Sequence, residues 1–326
     1  MLHAVLAAVL LTAPQEPAAA PPPPPILAAQ DPIRLEDVVV DARRLEETTE
    51  EYVDLVAAPA RRRGLARWKE GVCVGVANLD HEIARYLADR VSDVARELGL
   101  QAREPDCDPT VLIIATTDSP NFTESFVAQR PRLFRAGGAG MDRGGARLRD
   151  FIGDDRPIRW WHVSLPVHRD TGERVVRLPG DVSGSGAVTG GPSAQQYAPQ
   201  SRVSAPSRLN DDTEDVMARV FIIVDVDHLN GASLEQLGDY VALVAMAQVD
   251  ADADTGGFDT ILNLFDDPAR APAGLTGWDR AYLEGLYDRR SQTHRVNQRA
   301  QVQAVASAIA HAYREGGVEP DDGDRP

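Results

Sequence analysis

Two short apolar runs constrain the fold more than anything else in the chain: "TVLIIATT" at residues 110–117 and "ARVFIIVDVD" at 218–227. The first is bounded by Pro109 and Asp118 and is unbroken by polar residues, the pattern of a buried strand. The second is the clearest strand in the sequence. A third, "GVCVGVAN" at 71–78, combines small and β-branched residues and ends on the breaker Asn78. Between it and the 110–117 run, Ile83, Leu87, Val91, Val94 and Leu98 recur at helical spacing, with Gly99 at the αL cap position. The order strand, helix, strand predicts a βαβ unit.

Further along, Ser119 and Pro120 read as the N-cap and first residue of a helix carrying Phe122, Phe126 and Val127. The stretch around 135–149 is a Gly-rich loop without a phosphate-loop pattern; its Arg135, Arg143, Arg147 and Arg149 read as solvated. "IRWWHVSLPVH" followed by Asp170-Thr171-Gly172 and "RVVRL" predicts a hairpin. Ser233 with Gln236 forms a capping box before a buried helix with Leu234, Leu237, Val241, Val244 and Ala245 on one face. Two more helices are predicted, one opening at Thr276 and one over about 294–314 with Val302, Val305 and Ile309 inward. Residues 35–63 lack periodicity and are expected to pack on the outside as a short helix or strand.

The N-terminus, "MLHAVLAAVLLTAP" followed by Ala18, Ala19 and Ala20, has the apolar length and small-residue zone of an export signal. The expected organisation is a signal peptide at 1–20 and a Pro-rich linker at 21–34. A single α+β domain follows at 35–315, with a flexible insertion at 181–207 and a disordered acidic tail at 316–326. A formal charge of −16 disfavours nucleic acid and anionic lipid as partners. No later segment is long and apolar enough for a membrane span. The expected location is periplasmic or secreted, where the two cysteines, Cys73 and Cys107, read as a disulfide, with two buried thiols as the alternative.

Candidate chemistry is sparse. "DADADTGG" places Asp250, Asp252 and Asp254 at positions 1, 3 and 5 of a calcium loop. Position 6 is Thr255 instead of Gly and position 12 is Ile261 instead of Glu, so these three are weak calcium candidates beside the plainer reading of an acidic turn. "HEIAR" at 81–85 approaches a zinc-peptidase motif, but Arg85 stands where the second His belongs. His162 and His168 share a strand face, and His228 follows Asp225 and Asp227 at a strand end. For all three, an ordinary histidine is the simpler reading. No nucleophile with a recognisable base is present, so no catalytic residue and no cofactor is expected.

Over residues 238–290, "GDYVALVAMAQ", "ILNLFDD" and "LTGWDRAYLEGLYD" resemble an uncharacterised exported bacterial family that is itself similar to zincin-type metallopeptidases. The resemblance implies a zincin-like fold: a mixed sheet with a backing helix, an edge strand, a central helix and a C-terminal helical part. It also implies a metal site on the central helix. There this chain reads Tyr240-Val241-Ala242-Leu243-Val244. With both His and the Glu missing, the expectation is a non-catalytic protein that binds an unknown protein or cell-envelope ligand. The alternatives are a metal-dependent hydrolase built on His162, His168 and the acidic turn, or a calcium-stabilised module. In the acidic turn, Asp252 and Asp254 are expected to pair with arginines such as Arg289 and Arg290.

Overall fold

The computed structural model describes residues 35–60, 63–134, 143–175, 213–266, 271–288 and 298–316. The signal peptide, the linker, the 181–207 insertion, the tail beyond 316, Arg135, and Arg289 with Arg290 lie outside the described residues. The chain divides into units 1–40 and 41–326; the helix Leu35–Val56 begins in the first, and all the packing and contacts described lie within the second.

The fold is α+β, built on one mixed four-stranded sheet. Strands β1 (Val74–Ala77), β2 (Val111–Thr116), β3 (Ile158–His168) and β4 (Thr213–Asp225) lie in the order β1-β2-β4-β3. β1, β2 and β4 are parallel, and β3 runs antiparallel to β4 at the edge. Helix α2 (His81–Glu97) makes the β1-to-β2 crossover, as its spacing predicts, and buries Leu87, Val91, Val94 and Ala95. Asp80 caps it and Gly99 takes a positive φ of 76° just past its end.

Both faces of the sheet are covered, which is why its inner strands read as unbroken apolar runs. Val220, Ile222 and Val224 of β4 join one core with α1 (Leu35–Val56), α2, α6 (Leu234–Met246), α7 (Gly277–Tyr287) and α8 (Gln298–Gly316). Phe221 and Ile223 join a second core with α3 (Ser119–Gln129), α4 (Pro131–Phe134) and α5 (Gly145–Gly153). A register shift opposite Val163/Ser164 resets the alternation of β4, so that Met217 and Val220, three apart, both face the first core.

Several expectations need correction. Residues 35–56 form a 22-residue helix whose end is buried: Thr49, Tyr52, Val53 and Val56 are fully enclosed. The N-cap of α3 is Asp118, whose side chain accepts from the Asn121 amide, and Ser119 is the first helical residue. Part of the expected Gly-rich loop is helix α5. Leu234 is among the most exposed large apolar side chains, while the rest of its predicted face is buried. The predicted hairpin turn does form, bringing Arg174 back to bridge Val167 and Val175 N to Pro166 O, while residues 176–178 of its return lie outside the described residues and β3 pairs along its length with β4.

The Cys73–Cys107 disulfide forms, joining the residue before β1 to the entry of β2 with 6.0 Å between Cα atoms.

Candidate functional site

The central helix α6 begins with the predicted capping box, the Ser233 hydroxyl accepting from the Gln236 amide at 3.1 Å. Its C-terminal end is closed with equal completeness. The last four carbonyls of a helix have no partner within it. Here Leu243 O accepts from the Ala247 amide at 3.1 Å, and three side chains from three other segments take the rest. His162 Nε2 donates to Val244 O at 2.7 Å, Trp68 Nε1 to Ala245 O at 2.8 Å, and the Tyr287 hydroxyl to Met246 O at 2.8 Å. Trp160 Nε1 adds a bond to Val249 O just beyond, at 3.0 Å.

His162 is thereby a helix cap. A carbonyl only accepts, so Nε2 carries the proton. Burial pushes the imidazole pKa down to about 4, which keeps the ring neutral. His168 lies at the other end of β3, its Nδ1 accepting from the Asp170 amide. His81 is exposed at the start of α2. Among the described residues no cluster of three His, Cys, Asp or Glu side chains is arranged to hold a metal.

On α6, Val241 to Val244 are completely buried and Tyr240 nearly so, its ring edge-on to Trp160 and Phe265. Burial raises the Tyr240 phenol well above its usual range. These residues do not fit a zinc ion: four are hydrocarbon, and the fifth is a protonated phenol packed against rings.

The acidic turn after α6 faces arginines. Arg143 contacts Asp250 at 2.8 Å, Arg147 contacts both Asp250 and Asp252, and Arg156 contacts Asp252 at 2.8 Å. Arg156 also reaches Ala251 O and Asp154. The two carboxylates thus tie the turn to α5 and to the approach to β3. Hydrogen bonding and charge from Arg156 hold the Asp252 carboxyl below its usual range. Among the described residues Asp254 accepts a long bond from Gly256 N, while Asp250 and Asp252 carry the turn's contacts with arginine; the expected partners Arg289 and Arg290 lie outside the described residues.

The "LTGWDRAYLEGLYD" segment proves to be a fastening. Thr276 caps α7, and Asp279 completes the capping box. Asp279 is fully buried and accepts from the Thr260 hydroxyl at 2.5 Å, Ile261 N at 2.8 Å, and Thr276 N and hydroxyl, each at 2.9 Å. Burial outweighs these bonds and raises its pKa. The Tyr52 hydroxyl adds a weaker bond at 3.4 Å, tying α1 to the same point. Asp239 of α6 makes a comparable joint, paired with Arg90 of α2 and accepting from Leu275 N at 2.7 Å.

One constellation remains, at the carboxyl ends of β2 and β4. These adjacent parallel strands feed helices on opposite faces, α3 on one and α6 on the other, the geometry in which open sheets form a crevice. Asp225 sits there, buried, accepting from Ser119 N at 3.2 Å and Asp227 N at 3.3 Å. His228 Nδ1 lies 2.9 Å from its carboxylate. Burial pushes Asp225 up, but the His228 and Ser119 bonds outweigh it and hold the pKa low. The Asp225 bond in turn raises that of the exposed His228. Arg159 of β3 lies close enough to feel the Asp225 charge. Of these residues, His228, Asp225 and Asp227 are legible in the sequence as a strand-end cluster, whereas the role of the Ser119 amide and of Arg159 is not.

No protein-family model, curated protein sequence or solved structure matches the chain.

Proposed function

We propose that this is an exported, non-catalytic protein of zincin-like build whose role is to bind a protein or ligand of the cell envelope. The observation that carries the reading is the packing of Tyr240–Val244, where a peptidase of that build would present its metal ligands. A helix face made of hydrocarbon and a buried phenol supplies no water activation. The zincin-like build is supported by the order of the elements: a parallel βαβ unit, an antiparallel edge strand, then a buried central helix and a helical C-terminal part. Export is supported by the apolar N-terminus and by the disulfide, which persists in an oxidising compartment.

The test is metal analysis of the purified full chain, together with a peptidase assay on unfolded protein. The reading expects neither stoichiometric metal nor cleavage. One tightly held zinc per chain, or hydrolysis abolished by a chelator, would overturn it. Fractionation of cells expressing the full chain tests export separately: recovery from the cytoplasm alone removes that part.

A further inference from the structure

We propose that Arg159 forms a binding site for a carboxylate carried on an apolar body. Arg159 is the largest fully buried side chain in the described structure, 1% exposed. It sits on β3 opposite Ile223 and turns toward α5. One nitrogen is used: Nη1 donates to Ile152 O at 2.8 Å and to Phe151 O at 3.2 Å. The other two, Nε and Nη2, are buried with no hydrogen-bond partner among the described residues.

Which two are left matters. Nε–H and Nη2–H share one edge of the guanidinium and point the same way, the fork that matches both oxygens of a carboxylate. Buried donors are nearly always paired, and a guanidinium left half paired is costly to enclose.

The surroundings select the anion. Asp154, Asp155 and Asp225 all act on Arg159 through their charge without bonding to it. The Asp225 oxygens are already engaged by Ser119, Asp227 and His228. These carboxylates repel any anion, and a dianion such as phosphate more strongly than a carboxylate, so the fork is best matched by a single negative charge. On the same face, Phe151, Trp161 and Ile223 belong to the aromatic second core, so the rest of the ligand meets hydrocarbon. The site faces away from α6. It therefore stands or falls independently of the reading of that helix, while giving a binding role its ligand class.

Calorimetric titration of the full chain with phenylacetate and with octanoate tests this. Saturable binding of a carboxylate is expected, with no binding of phenylacetamide or inorganic phosphate. Arg159→Lys keeps the charge but loses the fork, and should weaken binding by about tenfold or more. Failure of both carboxylates to bind, preference for phosphate, or undiminished binding to Arg159→Gln would overturn the proposal. Should the variants not fold, a crystal of the wild-type chain grown with 4-bromophenylacetate decides: bromine beside Arg159 supports the site, and bromine elsewhere or nowhere refutes it.

Discussion

His162 Nε2 meets the Val244 carbonyl at 2.7 Å, so a buried neutral imidazole closes the central helix. The folded pKa of about 4 lies below the 6.5 of an unfolded histidine. On acidification the unfolded chain takes up a proton first, and stability is lost as pH falls from 6.5 to 4. The loss should approach about 3 kcal/mol. His162→Gln can still donate to the carbonyl but does not titrate. Urea midpoints at pH 7 and pH 4.5 should therefore fall less in this variant than in the parent; equal falls would show that His162 is not the group involved.

Asp279 gathers four short hydrogen bonds from three residues in a dry setting. Asp279→Ala strands those donors and should cost about 3–4 kcal/mol. Equilibrium denaturation of the full chain measures it, and a loss under 1 kcal/mol would contradict the hub.

Asp250 and Asp252 should matter where Asp254 does not. Asp250→Ala leaves Arg143 without its carboxylate, and the half-buried pair predicts a loss of about 1 kcal/mol that shrinks in high salt. Asp254→Ala should leave the melting temperature unchanged. Comparable shifts in both variants would argue that the turn acts as one acidic unit.

Gly285 of α7 packs directly against Val305 and Ile309 of α8. A Cβ there would stand 2.9 Å from Ile309 Cγ1 and 3.0 Å from the Val305 carbonyl oxygen. The backbone oxygen cannot rotate aside, so Gly285→Ala should push α8 outward and cost about 1–3 kcal/mol. Retained stability in a thermal melt would mean α8 docks more loosely than this spacing indicates.

The sheet and most helices were legible because their apolar periodicity is local. Helix α1 was not, although its buried positions 49, 52, 53 and 56 follow helical spacing. The first of them is Thr49, whose hydroxyl bonds back to Leu45 O and so hides a core position behind a polar letter. The arginine partners of the acidic turn lie about a hundred residues upstream, and charge carries no period by which to find them. Asp279 did leave a signal, the Thr276-x-x-Asp279 spacing of a capping box. Arg159 left one too: a lone cation between Ile158 and Trp160 in an apolar strand, a local conflict of the kind that marks a site.

At four residues, β1 is the shortest strand among the described residues and forms one border of the sheet they build. Borders of this kind are where one molecule can lend a strand to another or begin to aggregate. The Cys73–Cys107 bond fastens its beginning to the neighbour it already pairs with. The oxidised chain therefore cannot readily peel that strand away. Reduction would restore the freedom to trade it between copies, making the bond a guard on solitude as much as a source of stability.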